Sequence, residues 1–569
     1  MRLSHARWSF LFLALVLASC ENSTQAPTAP HPSLSTVGSS ACPSHATFVV
    51  SDEATLVNAL ATAQPNDTIA LSGVIELAQT GGLFVYTNNL TFTCAQPGAA
   101  LSVAPASASW LFVVLGKHVT IERLTLDASN AASGAVVAFN GVEAPFTGFA
   151  EDVRLIGNHI ICGDPNTEDC ISIRSAAGGL DRVTISDNTF EHTVNNSTIA
   201  LFTVNHVRLE RNTIPNGSAW GMLLVGVRDV DVVQNTIEGG SRLFGFVVFS
   251  SGEDIRLVGN RFDDTSVHIE SDPGTLIQRV QISQNTFEVK NQLAVLLVGV
   301  DDARVEKNTF AGILDVGDYG DPVIFITVTH GRITDNSGEC GDACVFGAGG
   351  SPGLVLARNQ FQTAGSSAGF LLQENTDGDS VVGNTIVTTK PSFVPGFGGI
   401  RIRDGANAVV TDNIIAGPWA NSLALTDVTT ADVERNSLQG ASRFGIGITT
   451  EESVRPISLM GSLFRANRVS GAGMAGIFVQ LACNNSFVGN NLQGNAGDVG
   501  LVFDNTTGAN TFTGNANLVV DNGAFDCDGN GMNDPNIISG PGNARRGVQL
   551  SGVASGANPQ HRIYGVLLK

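Results

Sequence analysis

The residues best suited to metal chemistry lie in one short stretch near the carboxyl end, Asp526–Asp534, which reads DCDGNGMND. Oxygen ligands at positions 1, 3, 5, 7 and 9, the seventh from the main chain, are the spacing of a calcium-binding loop. Position 12 of this stretch holds Ile537 instead of a bidentate glutamate, so an Asx-rich turn fastened by Cys527 is the alternative. The predicted calcium ligands are Asp526, Asp528, Asn530, Met532 and Asp534.

Two arginines could recognise an acidic sugar. Arg401 and Arg403 alternate in the stretch GGIRIR, so both side chains should leave the same face of a strand. A guanidinium group forms paired hydrogen bonds with a carboxylate, and Trp419, on the next coil, adds an aromatic ring. Arg401, Arg403 and Trp419 therefore form a predicted ligand-binding group, with ordinary surface charge as the alternative.

Acid–base chemistry has weaker candidates. His268 and Glu270 alternate along a predicted strand that follows Asp263 and Asp264. Hydrolysis of a glycosidic bond needs two carboxyl groups that flank it, and further candidates lie two repeats away. Solvated loop residues are the favoured interpretation of the whole group, and the catalytic residues are left unknown. The further candidates are Asp315, Asp318, Tyr319 and Asp321.

These residues are spread over a chain that repeats itself. Each unit holds a short apolar run, a turn, a second alternating run, and then Asn-x-apolar. From the first of these asparagines to the last, 332 residues give 13 intervals of about 26 residues. Units that cannot bury their own apolar face must stack on copies of themselves. The repeated asparagines are Asn158, Asn188, Asn212, Asn235, Asn260, Asn285, Asn308, Asn336, Asn359, Asn384, Asn413, Asn436, Asn467 and Asn490.

An asparagine at this period fits two kinds of solenoid. Val227–Ile237 also matches the leucine-rich repeat pattern, but those repeats continue into a helical segment. The other halves of these units, such as Gly221–Val225 and Gly399–Arg403, are short and led by glycine, which indicates strands. The chain resembles the right-handed parallel β-helix proteins of the pectate-lyase-like superfamily over roughly residues 48–536. The resemblance implies an all-β, single-stranded right-handed parallel β-helix, a solenoid with an asparagine ladder.

The resemblance places each asparagine in the tight turn between the second and third strands of a coil. Asparagine suits such a turn because it tolerates left-handed backbone angles and its amide can bond to the asparagines above and below. Glu53–Ala63 has the apolar spacing of an amphipathic helix. It is similar to the helix that caps the open end of many β-helices, where the first coil would otherwise expose its core and strand edges.

One segment, Glu168–His192, resembles the pectate lyase stretch that opens with an acidic pair and closes with a histidine. Glu168, Asp169, Arg174 and His192 stand at comparable places. The lysine and the two arginines that should follow in the next coil are absent. Without a base to remove a proton beside a uronate carboxylate, the lyase mechanism cannot run. A polygalacturonase-like motif, NTDG at 375–378, also lacks its partner motifs and is interpreted as a turn.

Alternation predicts which side chains leave the outer face of the first sheet. The early part of this face is mostly aliphatic, so a loop, a partner chain or an apolar ligand is expected to cover it. The early pairs are Ala200 and Phe202, Leu223 and Val225, Val247 and Phe249, His268 and Glu270, Leu296 and Val298, and Phe325 and Thr327. The later residues are polar: Gln373, Arg401, Arg403, Thr426, Thr449, Gln480 and Asp504.

The amino terminus reads as an export signal. Residues 1–20 have a basic start, an apolar stretch and a small-residue end. The tetrapeptide LASC resembles the bacterial lipobox, which implies that Cys20 becomes a lipidated first residue and the only membrane attachment. Residues 21–45 are rich in Ser, Thr, Pro and Ala and are predicted to be a flexible tether. The remaining divisions are a β-helix with its cap at 46–536 and a C-terminal cap or tail at 537–569.

Charge and cysteine content restrict the surroundings. The chain has 31 basic and 52 acidic residues, which argues against a nucleic-acid partner because such binding needs a basic surface. Eight cysteines besides Cys20 in an exported chain suggest disulfides. Proximity in the sequence suggests the pairs Cys42–Cys94, Cys162–Cys170, Cys340–Cys344 and Cys483–Cys527.

The sequence favours a lipid-anchored bacterial surface or periplasmic β-helix protein that acts as a binding or adhesive scaffold, with the outer membrane or cell surface as its expected location. Its partner would be a polysaccharide or another protein, and calcium is the one cofactor expected. One alternative is a polysaccharide lyase or glycoside hydrolase with its site on the first sheet under the inserted loops, although the missing catalytic groups argue against an enzyme. A structural element of a surface layer is the other alternative.

Overall fold

Every strand of the main body belongs to a coil that turns from a first sheet to a second and then to a third. The computed structural model describes residues 42–78, 81–105, 110–143, 146–162, 169–176, 179–191, 196–215, 220–239, 244–289, 293–312, 322–341, 343–363, 368–391, 398–450, 459–514, 518–540 and 544–546. The chain from Ala41 onward forms one compact unit. It is an all-β right-handed parallel β-helix of about 17 turns, and the fold expected from the sequence is confirmed.

The first sheet holds the strand that opens each coil. Trp220–Val233 and Phe244–Val258 continue around the corner into the second sheet, which joins the two sheets into one of 38 strands. The other first-sheet strands are Leu83–Val85, Trp110–Val114, Gly134–Glu143, Asp169–Ser175, Ser197–Phe202, Val267–Ser271, Val295–Val298, Val323–Ile326, Val345–Ala348, Phe370–Leu372, Gly398–Arg403, Asn421–Thr426, Phe444–Thr449, Ala475–Val479, Val499–Phe503, Leu518–Asp521 and Ala544–Arg546.

The second sheet lies just before the asparagine turn. Its strands are Phe48–Val50, Thr68–Leu71, Thr91–Cys94, Thr120–Glu122, Val153–Ile156, Leu180–Ser186, Val204–Glu210, Ile277–Ser283, Val300–Glu306, Arg332–Thr334, Val355–Ala357, Ser380–Val382, Ala408–Thr411, Ala431–Glu434, Leu463–Arg465, Ser486–Val488, Thr511–Thr513 and Ile537–Ser539. Each of them pairs in parallel with the second-sheet strand of at least one neighbouring coil, so the apolar residues stack in columns inside the tube.

The third sheet has 16 short strands just after the asparagine turn. They are Val74–Leu77, Ala100–Val103, Thr125–Asp127, His159–Ile161, Thr189–Glu191, Thr213–Ile214, Thr236–Glu238, Arg261–Asp263, Thr286–Glu288, Thr309–Ala311, Ser337–Cys340, Gln360–Thr363, Thr385–Thr388, Ile414–Ala416, Ser437–Gln439 and Arg468–Ser470. Phe262, Phe287 and Phe310 at their centres stack inside the tube with ring centroids 4.9 and 5.2 Å apart.

A few elements depart from this pattern of three parallel sheets. Phe146–Phe149 folds back antiparallel on Gly134–Glu143. Leu459–Met460, Ala482–Cys483 and Thr507–Gly508 form a separate three-stranded sheet, and Ala496–Asp498 is a short 3-10 helix.

The predicted asparagine ladder is confirmed along its whole length, and Asn285 shows the pattern. Its side-chain oxygen accepts hydrogen bonds from the backbone and side-chain nitrogens of Asn260, at 2.8 and 3.0 Å. Its amide nitrogen donates to the Leu257 carbonyl and to the side-chain oxygen of Asn308, both at 3.0 Å. The same contacts link each asparagine from Asn158 to Asn490. The ladder therefore satisfies main-chain groups that the turn would otherwise leave buried and unpaired.

The backbone explanation offered for these asparagines is wrong. The left-handed residue of each turn is the one before the asparagine, as at Gln284 (φ 58°) and Arg358 (φ 55°). That residue points outward, and in several coils its charge pairs with the next coil. Arg358 donates two hydrogen bonds of 2.7 Å to Asp335, for example. The asparagine is thus required for its buried amide and not for its backbone angles.

A helix caps the amino-terminal end, as predicted. Glu53–Thr62 begins at Asp52, whose carboxylate accepts the Thr55 amide at 2.8 Å, and it buries Leu56 and Ala59 against the first coils. Asp52 and Thr55 form a reciprocal capping box, which fixes where the helix begins.

The structure joins the eight described cysteines as Cys42–Cys94, Cys162–Cys170, Cys340–Cys344 and Cys483–Cys527, the pairs that proximity suggested. No described helix is long or apolar enough to cross a bilayer. The expectations for the export signal, for Cys20 and for most of the tether fall outside the described residues.

At the carboxyl end the coils continue past the boundary predicted at residue 536. Ile537–Ser539 and Ala544–Arg546 still pair in parallel with the coil before them. A second ladder, which the sequence analysis missed, runs through Asn485, Asn510 and Asn536 in the turn between the first and second sheets. Its signal is present in the sequence as asparagines 25 and 26 residues apart.

Candidate functional site

The outer face of the first sheet differs from the simple alternation in one respect. Gly221 and Met222 both face the interior, since a Cβ on Gly221 would meet Ile237 and Met222 lies in the main core. Because two consecutive residues point inward, the residue just before each such pair projects from the outer face. These residues are Trp220 and Phe244, which lie in register with one another. This irregularity adds a third outward position at the start of these two strands, occupied by Trp220 and Phe244.

The middle row of this face is buried and mostly apolar, as expected for a covered sheet. Leu223, Val247, Leu296 and Ile324 are all at most 9% exposed. The outward assignment of Phe325 and Thr327 is wrong. Phe325 pairs with Leu297 and faces the core, so Ile324 and Ile326 are the residues of this coil that face out. The error arose from placing the inward residue one position early in a uniformly apolar run.

An aromatic patch interrupts the aliphatic face, and we define it as Trp220, Phe244, Phe249, His268 and Glu270. The rings of Trp220 and Phe249 meet edge to face at 6.5 Å. The His268 ring lies 4.6 Å from that of Phe244 and 5.4 Å from that of Phe249. Every member except His268 is half-buried, so the patch combines aromatic surface with access from solvent.

The polar centre of the patch is the His268–Glu270 pair. Nε2 of His268 lies 3.0 Å from a carboxylate oxygen of Glu270. Nδ1 is buried and has no hydrogen-bond partner among the described residues. The two acids expected nearby are elsewhere: Asp263 belongs to the third sheet and pairs with Arg261, and Asp264 follows it at the corner. Asp315, Asp318, Tyr319 and Asp321 lie outside the described residues.

An ion pair flanks the patch on its amino-terminal side. Asp169 accepts hydrogen bonds from Arg174 at 3.1 Å and from Asn196 at 2.9 Å. Burial raises the pKa of Asp169, and the charge of Arg174 opposes that shift. Arg174 also lies over the ring of Phe202, 4.9 Å from its centroid. Asp169 and Arg174 thus form a partly buried ion pair. Glu168 and His192 of the same segment lie outside the described residues.

The arginine group predicted from the sequence is only partly on the surface. Trp419 is fully buried in the main core, so its assignment as a sugar contact is corrected: its turn folds into the tube. Arg401 is 3% exposed in the middle row, and Arg403 in the outer row is half-buried with its guanidinium 3.0 Å from Asp404. Arg403 is therefore the accessible member of this group.

Polar side chains continue the outer row beyond Arg403. Thr426 and Thr449 lie in register on the next two strands, and their hydroxyls are 3.5 Å apart. Asp504, near the carboxyl end of this row, accepts two hydrogen bonds from Thr506, and burial raises its pKa to about 6 against them. We call Gln373, Arg403, Thr426, Thr449, Gln480 and Asp504 the polar stripe.

The predicted calcium loop has three converging carboxylates. Ligand atoms of Asp526, Asp528 and Asp534 lie within 4.8 Å of one another. Asn530 is engaged locally, since its amide nitrogen donates to Asp528 and its oxygen accepts the Met532 amide. Loss of solvation raises the pKa of Asp526, but the amides of Gly531 and Gly529 outweigh it and leave that pKa below its ordinary value. The Asp526 carboxylate is therefore favoured in its ionised form.

The NTDG stretch forms a turn, as interpreted, and ends at a buried acid. Asp379 is fully buried and accepts the Leu354 amide at 2.9 Å. Burial raises its pKa to about 7, although the Leu354 hydrogen bond acts in the opposite direction. The carboxyl group is thus favoured in its neutral form inside the tube.

Replacing Asp379 with Asn should remove one source of pH dependence. A raised folded-state pKa gives stability that is fully present below the unfolded value of 3.8 and is lost as the pH rises through about 7. We expect D379N to exceed the wild type at pH 8 by up to about 4 kcal/mol and to approach it at pH 4. Denaturant unfolding at both pH values measures this, and a constant difference between the two proteins would contradict it.

The sequence analysis missed Trp220 and Phe244 as site residues. It began these strands at the glycine and assigned no role to the residue before it. The available signal was an aromatic residue directly before that glycine in two successive coils, in SAWGM and RLFGF. Aromatic side chains at the same position of two successive coils indicate an aromatic surface, which is typical of a binding site.

Comparison with known proteins agrees with this architecture. Residues 365–517 and 398–552 match the family model described as a right handed beta helix region. No curated protein sequence matches the chain.

Several solved structures share low similarity with this chain. An alginate lyase from Paenibacillus sp. str. FPU-7 is 13% identical, covering 56% of this chain and 95% of its own, with a TM-score of 0.26. The A-module of a mannuronan C-5 epimerase from Azotobacter vinelandii is also 13% identical, with 78% and 94% coverage and a TM-score of 0.23. Tailspike protein 3 of bacteriophage CBA120 is 11% identical, with 89% and 59% coverage and a TM-score of 0.24.

Identities and TM-scores this low do not bear on activity. The parallel register of three sheets, the asparagine ladder and the matched family model define the protein instead. Over its described residues, the chain is a right-handed parallel β-helix protein.

Proposed function

We propose that the protein is an exported scaffold that binds a polysaccharide along the outer face of the first sheet. The aromatic patch is the observation that supports this most. Pyranose rings present apolar C–H faces that pack on aromatic side chains, while their hydroxyls need polar partners. Trp220 and Phe249 offer aromatic surface for the C–H faces, and His268 and Glu270 offer polar partners for the hydroxyls.

The polar stripe extends the same face toward the carboxyl end. Five strand spacings separate His268 from the strand of Arg403, roughly 24 Å. Arg403 remains the proposed contact for an acidic sugar, with Arg401 beneath it in the middle row. A chain lying across the strands would thus meet aromatic surface first and hydrogen-bonding groups afterward.

Binding is tested on an array of neutral and acidic oligosaccharides with the purified protein. Retention on at least one glycan class supports the proposal. No retention on any class at high protein concentration argues against it.

The alternative proposal is cleavage of the bound polysaccharide, by a lyase or hydrolase reaction. The His268–Glu270 pair favours it, because a carboxylate-oriented imidazole can transfer protons. Hydrolysis needs a second carboxyl group across the bond. New reducing ends, or absorbance from unsaturated uronates, would appear with a cleaving enzyme and stay at background with a scaffold.

Export is supported by the four disulfides, which persist in oxidising compartments. Attachment of the chain to a bacterial outer membrane or cell surface through a lipid on Cys20 is part of the proposal. Metabolic labelling with a fatty acid, compared between the wild type and C20A, tests it.

Calcium binding at Asp526–Asp534 is a second proposal, and the convergence of three carboxylates favours it. Because the bidentate ligand at position 12 is missing, the affinity should be weak, with a Kd of about 0.1–1 mM. A tenfold excess of calcium over the Kd should then stabilise the protein by about 1.4 kcal/mol.

Calorimetric titration with calcium should give heat for the wild type and none for the double variant D526N/D528N. The matched control is D498N, which removes an exposed acid elsewhere and should titrate like the wild type. Equal heats in all three proteins would rule out this loop as the site.

A further inference from the structure

One buried polar atom of the aromatic patch, Nδ1 of His268, has no hydrogen-bond partner among the described residues. His268 is 8% exposed and its ring is held between Phe244 and Phe249. Nε2 faces Glu270 at 3.0 Å, while Nδ1 is buried without a hydrogen-bond partner. A buried acceptor left unpaired costs about 1–3 kcal/mol, so a structure that keeps one invites an explanation.

The pairing with Glu270 assigns the roles of the two ring nitrogens. A carboxylate only accepts hydrogen bonds, so Nε2 carries the proton in neutral His268 and donates it to Glu270. Nδ1 then presents a lone pair. The outward side chains in register on the two adjacent strands are Val247 and Leu296, and neither can donate to it.

We infer that Nδ1 of His268, which is closed to solvent, is uncovered when the neighbouring Phe244 ring turns aside and then accepts a hydrogen bond from a hydroxyl of a neutral sugar residue seated on the patch. The inference rests on the proposed polysaccharide binding and names the sugar class at this end of the face. Trp220 and Phe249 take the apolar side of the ring, and Glu270 holds the imidazole in the accepting tautomer.

The charge at this subsite excludes an acidic sugar. Both polar groups facing the ligand are acceptors, so a uronate carboxylate would meet like charge on Glu270 and a lone pair on Nδ1. A hydroxyl supplies the donor that both lack. Acidic residues of a mixed polysaccharide belong instead near Arg403, several strands away.

Two substitutions of His268 separate the ligand contact from the internal one. The Asn amide reaches about as far as Nδ1, whereas the Gln amide reaches about as far as Nε2. H268N therefore keeps an acceptor for the sugar and loses the contact with Glu270. H268Q keeps the contact with Glu270 and loses the acceptor.

The experiment measures the affinity of the wild type, H268N and H268Q for neutral and uronate oligosaccharides on the same array, followed by calorimetry on the best glycan. We expect H268Q to bind the neutral glycan at least about tenfold more weakly and H268N to stay within about threefold of the wild type. Thermal unfolding checks that both variants fold. If one of them does not fold, the variant E270Q, at a half-buried position, is measured in its place. For E270Q we expect weaker neutral binding and less discrimination against uronates.

The outcomes distinguish the two levels of the proposal. A wild type that binds no glycan overturns the proposed function, and this inference falls with it. A wild type that binds while H268Q binds equally well overturns the inference alone. Preference of the wild type for uronates that survives in H268Q also overturns it, since the neutral subsite would then play no part.

Discussion

Replacing Trp220 with Ala should lower the affinity for the bound glycan by about ten- to thirtyfold. Trp220 is half-buried at the edge of the aromatic patch, with its ring against that of Phe249. Large aromatic side chains over an apolar floor carry a disproportionate share of binding energy, because they exclude water on both sides. Leu223 and Val247 provide that floor.

The measurement is calorimetry with the oligosaccharide that the array identifies. Tyr86 is the matched control, because it is 65% exposed and leaves the same face near the amino-terminal end, five coils from Trp220. Y86A should bind within about twofold of the wild type. Equal losses in Y86A and W220A, or no loss in W220A, would contradict the proposed binding patch.

The largest effect on stability is expected at the asparagine ladder. N285A removes an acceptor for two nitrogens of Asn260 and donors to Leu257 and Asn308. At least two buried groups then lose their partners, at about 1–3 kcal/mol each. We expect N285A to lose roughly 3–5 kcal/mol.

Coils of a solenoid contact only their neighbours, so the loss should be concentrated locally. Hydrogen exchange should therefore accelerate most at the amides of Asn260 and neighbouring coils, alongside a lower thermal midpoint. Q278A, at an exposed position on the same coil as Asn285, should stay within about 0.5 kcal/mol of the wild type. If N285A matched Q278A, the ladder would be incidental to stability.

The left-handed turn residues show why part of the ladder escaped prediction. The period of the asparagines predicts that they stack, because the stacked units of a solenoid bring equivalent residues, here about 26 apart, into register. Which residue takes the positive φ depends on the direction in which the asparagine side-chain amide must point. That direction is set by the main-chain carbonyl of the preceding coil, to which the amide donates. Asn285 uses its side chain inward, and Gln284 takes the strained angle outside.

The position of the aromatic patch escaped prediction for a related reason. Strict alternation predicts one inward residue between two outward ones. At Gly221–Met222 two residues face inward together, because the corner next to Ile237 has no room for a Cβ. The residue before this irregularity, Trp220, is thereby turned to the outside.

Trp419 and Arg401 show the limits of assigning exposure from residue type. The sequence pattern around these two residues does not indicate whether their side chains are buried. Trp419 follows a turn, and Arg401 alternates like any outward residue. Their burial depends on how the corner folds into the tube and on what covers the middle row, which are contacts between distant parts of the chain.

The parallel β-helix, the ladder of asparagines, the capping helix and the spacing of the carboxylates at Asp526–Asp534 can all be predicted from the chain alone, because each is a local pattern repeated or spaced along it. The clustering of Trp220, Phe244 and Phe249 around His268 and the burial of Trp419 in the core are visible only in the folded protein. Stacking joins residues more than twenty positions apart, so the depth of each side chain depends on the corners and loops of the neighbouring coils.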